Sequence, residues 1–227
     1  MRLLLCACAG LTVLTMDLAA SPINLAPNPD FARGAGEQPA AWSLERGSGA
    51  WVDRQALTIR GSHSESELWK SAPVPFEPGR LYHFEVRVRR RDGTGSVIVG
   101  PQFANRDFNP PVGDWHTLAF DFVVPAGAKT APLHLGVWEA NGTVEFDDVR
   151  LVPAVPVFRE AKGVALGEGE SIRAGHYRFR GGFGHATSNF HRTLLESNAS
   201  FNSDRWCLAG DAEVTYRFHV PDASLRN

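Results

Sequence analysis

The chain has 227 residues, 43% of them hydrophobic and 21% charged, with a net charge of -2 at neutral pH. That balance suits a soluble globular protein of one full domain plus part of another, and argues against both a disordered chain and a membrane-embedded one. A nearly neutral chain offers no basic footprint for nucleic acid, and the run "RVRRR" at 87 to 91 reads as a solvated strand end.

In the first twenty residues, "MRLLLCACAGLTVLTMDLAA", Arg2 precedes an apolar stretch that ends in small residues. This is the layout of a secretory signal peptide, too short to span a bilayer with those flanks, with cleavage expected near Ala20. The expectation is a secreted protein, periplasmic or extracellular, with no membrane partner after cleavage. Cys6 and Cys8 leave with the signal, so Cys207 is the one remaining thiol and no internal disulfide can form in the mature chain.

From about residue 22 to 153 short alternating runs are separated by turn residues, which is an all-β pattern. In "LYHFEVRV", Tyr82, Phe84, Val86 and Val88 share one face, while His83, Glu85, Arg87 and Arg89 share the other. "RDGT" at 91 to 94 carries the Asp-Gly signal of a two-residue hairpin leading into "SVIVGPQF". "LAFDFVVP" alternates again through Leu118, Phe120, Phe122 and Val124. "ANGT" at 140 to 143 places the Asn-Gly hairpin signal between "LHLGVW" and "VEF". Strands at such spacing imply a β-sandwich.

In "GTVEFDDVRL" the alternation slips: Val144 and Phe146 are in one phase, Val149 and Leu151 in the other. Either a bulge sits at Asp147 and Asp148, or one carboxylate faces inward and needs a partner. "VPAVPVF" at 152 to 158, with Pro153 and Pro156, reads as a linker over 154–158. Residues 159–227 read as an incomplete β-rich second domain, with strands in "HYRFR" and "EVTYRFHV".

The ordered set "NLAPNPDFARG", "PAAW", "LTIRG", "SAPVPFEPGRLYHFEVRVR", "GDWHTLAFDFVVPAG" and "LHLGVWEANGTVEFDDVRL" resembles the family 4 and 9 carbohydrate-binding modules. The resemblance implies a jelly-roll sandwich of the galactose-binding-like type over residues 22–153. "NFHRTLLESNASFNSDRW" is similar to the opening half of a second such unit. The resemblance also implies a structural calcium ion, held by the Asp147 carboxylate, the Asp30 backbone carbonyl and Asp53. Ala32 departs from the family pattern, which has glutamate there. A hard cation takes oxygen ligands; the competing reading is a hydrogen-bonded Asp147 that caps the sheet edge.

Sugar binding in such modules depends on aromatic faces against pyranose rings and on amide and guanidinium groups reading hydroxyls. Trp42 and Trp115 fall in structural patterns and read as core, and Trp51 is ambiguous. Trp69 stands where these modules place a cleft aromatic. Gln102, Phe103, Asn105, Arg106 and Phe108 fall together in one strand and its following loop. Trp138, out of phase with Leu133, Leu135 and Val137, either lines the groove or covers the second face of its sheet. The alternative for the Phe103 cluster is that Phe103 packs in the core and the polar residues only shape the loop.

A glycosidase needs two carboxyl groups about 5 to 9.5 Å apart across one gap. Neighbours on a strand point to opposite faces, which argues against Asp147 and Asp148 as that pair unless the strand bulges. No zinc or nucleotide motif is present. His83, His116 and His134 read as surface or edge residues, and Asn141 and Asn198 open glycosylation sequons. The function expected is a secreted module that tethers a glycan-active protein to polysaccharide or oligosaccharide. It would form the N-terminal part of a longer glycoside-hydrolase-type protein whose active site lies beyond Asn227. The competing class is a structural β-sandwich domain of a large extracellular protein, with no sugar binding.

Overall fold

The computed structural model describes residues 22–63, 65–154, 170–174, 176–179, 194–197, 200–202, 205–208 and 210–216. The expected signal peptide, residues 155–158 of the expected linker and the Asn198 sequon lie outside them. The described chain is all strand and turn. Its first fourteen strands are β1 (Gly34–Ala35), β2 (Gln38–Pro39), β3 (Trp42–Arg46), β4 (Ser48–Val52), β5 (Ala56–Ser62), β6 (Glu67–Ser71) and β7 (Val74–Pro75), then β8 (Leu81–Arg90), β9 (Ser96–Pro101), β10 (Arg106–Phe108), β11 (Trp115–Val123), β12 (Thr130–Ala131), β13 (Leu133–Trp138) and β14 (Asn141–Pro153).

Ten of these strands make two five-stranded antiparallel sheets. The front sheet runs β10-β9-β13-β6-β3 and the back sheet β11-β8-β14-β5-β4. The chain passes repeatedly from one sheet to the other, which gives the jelly-roll sandwich. Alternation is the cause of the layering. On β8, Tyr82, Phe84, Val86 and Val88 are buried and the intervening residues are only half-buried. Phe120 and Phe122 of β11, Val97 and Val99 of β9, Leu133, Leu135 and Val137 of β13, and Phe146 of β14 meet them between the sheets. Edge-to-face and tilted ring contacts link Phe76, Tyr82, Phe103, Phe122, Phe120 and Phe84 into one aromatic chain through this core.

Neither turn signal makes a hairpin, and Asn141 and Gly142 open strand β14, paired with Ser62 and Gly61. β8 belongs to the back sheet and β9 to the front, and likewise β14 to the back and β13 to the front. The Asp-Gly segment at 92–93 and the short link at 139–140 therefore carry the chain across the sandwich, and the first clasps the start of β14. Asp92 Oδ1 accepts the Thr143 N–H at 2.6 Å, and Asn141 Oδ1 accepts the Thr94 N–H at 2.7 Å. Gly93 and Gly142 both have φ of +80°, and a Cβ on either would sit 2.1 to 2.3 Å from an oxygen of the other segment. Only glycine fits two backbones that close together.

The segment before β1 is fixed by buried amides. Asn28 is buried, donates to Arg33 O and Ala40 O, and accepts from Arg33 N. Trp42 Nε1 donates to Pro27 O at 2.8 Å and Trp51 Nε1 to Phe31 O at 2.9 Å, so two indoles staple the "NPDF" turn to the sheets. Beyond residue 154 the described strands are β15 (Glu170–Arg173), β16 (His176–Phe179), β17 (Leu194–Ser197), β18 (Ser200–Asn202), β19 (Arg205–Cys207) and β20 (Val214–Tyr216). Among the described residues they pair as three two-stranded ladders, β15-β16, β17-β20 and β18-β19.

Candidate functional site

Several residues expected to touch sugar point into the sandwich instead. Trp69 is 3% exposed and its Nε1 donates to Thr58 O, so it belongs to the core. Phe103 packs edge-on against Phe76 and Phe122, and Phe108 against Phe120. Arg106 is 1% exposed, with its guanidinium 5.1 Å from the Phe120 ring centroid. Gln102 is exposed, and Asn105, like Phe103 and Phe108, is half-buried. Trp138 is 39% exposed, on the outer side of the front sheet.

That outer face carries a different constellation. Reading across it, His134 of β13 stands opposite Lys70 of β6 on one side and Gly100 of β9 on the other. Two residues on, Gly136 faces Leu68 and Ile98, and Trp138 then faces Ser96. A Cβ at Gly136 would lie 2.2 Å from Glu67 O and 2.6 Å from Leu68 Cβ, so the bare backbone is needed for β6 to approach. A Cβ at Gly100 would lie 2.6 Å from Phe120 Cζ, so this glycine too is set by close packing. Lys70 Nζ is 3.4 Å from Glu45 Oε2, which places a charged pair at the β3 side.

His134 is held neutral. Burial pushes its pKa below the ordinary 6.5, with Glu45 opposing this and Lys70 adding to it. Its Nε2 is buried and makes no hydrogen bond. A buried polar atom without a partner is costly, and a site built this way is completed by a ligand hydroxyl or a water. From His134 to Trp138 the strand covers about 13 Å at the usual rise. The face therefore combines one flat aromatic, one imidazole and one charged pair along adjacent strands. The sequence placed His134 among surface histidines, although it shares the outward phase of Trp138 along "LHLGVW".

The outer face of the back sheet is organised by charge. His83 Nδ1 lies 2.5 Å from Asp121 Oδ1 and its Nε2 2.9 Å from Glu85 Oε1, so His83 is no bare edge residue. Glu85 also faces Arg150 Nη1 at 3.4 Å. Glu145 pairs with both Arg89 and Arg91. Trp115 is not core as expected: it is half-buried on this face, with Arg87 and Arg89 guanidinium carbons 5.0 and 4.7 Å from its ring centroid. Nor is "RVRRR" a uniformly solvated run, because Arg90 is 4% exposed and its Nη2 donates to Gly95 O.

The phase slip is a β-bulge between Asp147 and Arg150, with Asp148 in the left-handed region at φ of +47°. The bulge brings both carboxylates to one guanidinium: Arg87 Nη1 is 3.0 Å from Asp148 Oδ2 and 3.8 Å from Asp147 Oδ2. The two aspartates therefore do not face opposite sides. Burial raises the Asp147 pKa; the Asp148 N–H lowers it, the Asp148 charge raises it, Arg87 lowers it, and Asp30 raises it. Asp53, in the turn between β4 and β5, is not among the charges acting on Asp147. Among the described residues no three His, Cys, Asp or Glu side chains converge as a metal site. Ala32 supplies no carboxylate, and its N–H goes to Asp30 Oδ1. Of the residues expected to hold calcium, Asp30 acts electrostatically on Asp147, and the Arg87 guanidinium lies 3.8 Å from the Asp147 carboxylate.

No protein-family model matches the chain, and no curated protein matches it. Solved structures do. A CBM4 structure is 16% identical over 56% of this chain and 99% of its own, with a TM-score of 0.47. An arabinose-bound α-L-arabinofuranosidase is 15% identical over 58% of this chain and 26% of its own, with a TM-score of 0.49. The enzymatically active domain of tailspike protein 4 from bacteriophage CBA120 is 16% identical, with a TM-score of 0.45, and the match covers 58% of this chain but only 22% of the tailspike.

Proposed function

We propose that the region from 22 to 153 is a carbohydrate-binding module whose ligand lies along the outer face of the front sheet. The observation that carries this reading is Trp138, 39% exposed on the outer face of the front sheet and in line with His134 and the Lys70–Glu45 pair. A pyranose presents an apolar face for an indole and hydroxyls that both donate and accept. A neutral imidazole nitrogen and an adjacent ammonium and carboxylate match those hydroxyls without requiring a charged ligand. In this reading the module is exported and tethers a glycan-active protein to polysaccharide, as the N-terminal part of a longer glycoside-hydrolase-type protein.

The test is retention of the protein on a panel of insoluble polysaccharides and its retardation in gels containing soluble ones. Trp138→Ala and His134→Ala should each weaken binding about tenfold, the equivalent of about 1.4 kcal/mol. Trp138 is exposed enough for its loss to leave the fold intact. Retention unchanged in both variants would remove the site from this face. The reading as a structural β-sandwich domain is favoured by one observation: Trp69, Phe103, Arg106 and Phe108 are spent on the core. Absence of retention on every glycan would support that reading over sugar binding.

A further inference from the structure

We infer that Arg87 is an internal counter-ion that stands in for a structural cation at the Asp147–Asp148 bulge, so that the sandwich is metal-independent and removing this guanidinium would open a divalent-cation site. The inference concerns the back sheet and does not depend on any glycan reading.

Three contacts fix Arg87 in place. It is the cross-strand partner of Asp147 in the β8–β14 register. Its Nη1 reaches Asp148 Oδ2 at 3.0 Å and Asp147 Oδ2 at 3.8 Å. Its guanidinium carbon lies 5.0 Å from the centroid of the Trp115 ring. A guanidinium is planar, always charged and weakly hydrated, so it can stack on an indole while its edge serves carboxylates.

The negative charge at this place exceeds what one arginine brings. Asp30, Asp148 and Arg87 line one hollow of about 380 Å³, and Asp147 lies beside it at the bulge. Glu85 and Arg150 also line the hollow, but they pair with each other, and Glu85 additionally with His83. That leaves three aspartates around Arg87. Without it, the one cation left among the described residues lining this oxygen-rich hollow would be Arg150, already paired with Glu85, and the three aspartates would lack a counter-charge, which is the situation that a hard divalent cation resolves.

The experiment compares melting temperatures of the full chain in chelator and in excess calcium, for wild type, Arg87→Met and Arg87→Lys. Methionine keeps the stem that packs on Trp115 and removes the charge; lysine keeps the charge. Wild type should melt at the same temperature in both conditions. Arg87→Met should melt about 2–8 °C lower in chelator, the range for loss of a single pair in a domain of this size. Calcium should restore about half or more of that loss by preferential binding to the folded state. Arg87→Lys should remain indifferent to calcium, and adding Asp147→Asn to Arg87→Met should abolish the rescue. A wild-type protein that loses stability in chelator would overturn the inference, because a resident ion would then be present. Calcium indifference of Arg87→Met would overturn it as well. Should Arg87→Met fold only with calcium, the inference is upheld; should it fold in neither condition, a calcium response in Arg87→Lys would sink it and indifference there, with a wild type blind to chelator, would sustain it.

Discussion

Asp92 and Thr143 join two segments at the same edge of the sandwich: the Asp92 carboxylate accepts the Thr143 N–H at 2.6 Å, and Asn141 returns a bond of 2.7 Å to the Thr94 N–H. Each segment thus satisfies the other's backbone rather than its own. Removing one carboxylate, in Asp92→Ala, should cost about 0.5–1.5 kcal/mol. Because the two bonds hold the same pair of backbones, a double-mutant cycle of Asp92→Ala with Asn141→Ala should show coupling of about 0.5 kcal/mol or more. Gly142→Ala should cost more than either, since it adds both a left-handed φ and a clash with Asp92. Urea denaturation of the wild type and the four variants measures all of this, and strict additivity would mean that the two segments act separately.

The clasp also marks what a sequence can and cannot say about such a fold. Asp-Gly and Asn-Gly announce a turn, but Asn141 and Gly142 already belong to strand β14. Such pairs do not announce which sheet receives the next strand, because that depends on how two apolar faces meet across the core. Within one strand the reading was better: the alternation in "LYHFEVRV" assigned every side of β8, and the slip in "VEFDDVRL" located the bulge. The site residues were harder for the same geometric reason. Leu68 and Trp69 are adjacent, apolar and both buried, one on each face of β6, so phase could not tell cleft from core. Arg106 carries no sequence signal for its burial over Phe120, and the Asp121 partner of His83 is visible only once β8 and β11 are in register.

The His83 cluster predicts how stability follows pH. The hydrogen bond to Asp121 raises the His83 pKa above 6.5; burial opposes it, and Glu85 adds to it. A histidine whose folded pKa is raised contributes fully below 6.5 and loses that contribution as pH rises through its folded value. Burial raises the Glu85 pKa, but bonding and charge from His83 and Arg150 outweigh it, so the net shift is downward. The Glu85 contribution is present above its ordinary 4.5 and fades as pH falls through its folded value. The two effects together favour maximal stability between about 4.5 and 6.5. His83→Gln should flatten the decline on the alkaline side and cost about 1–2 kcal/mol at pH 6. The measurement is the urea midpoint as a function of pH, and parallel profiles for the two proteins would refute the assignment.

Trp69 sits among the core residues, and its substitution tests that placement against a role in binding. Trp69→Ala should lose about 3–5 kcal/mol, the usual cost of deleting a large buried ring. Trp69→Phe should lose less, but leaves the Thr58 carbonyl without the indole donor that now reaches it at 2.9 Å. Under conditions where Trp69→Phe is folded, retention on any glycan that the wild type binds should be unchanged. A variant of normal stability and lost retention would return Trp69 to the ligand.

Asp147 makes the converse prediction, in which removal of a charge helps. Burial is the largest influence on its carboxyl and raises its pKa above 3.8, with the charges of Asp148 and Asp30 in the same direction. For an acid shifted upward, the folded state holds its proton longer than the unfolded state, so stability falls as pH rises through that window and stays reduced above it. Asp147→Asn keeps an oxygen for the Asp148 N–H, which Oδ1 now accepts at 2.8 Å, and leaves Arg87 its closer partner Asp148. The variant should therefore match or exceed wild type in its urea midpoint at pH 7. Its advantage should vanish below pH 3.8, where both states of the wild type hold the proton. A loss of stability at pH 7 in the absence of divalent ions would show that the Arg87 contact at 3.8 Å outweighs the burial of the charge.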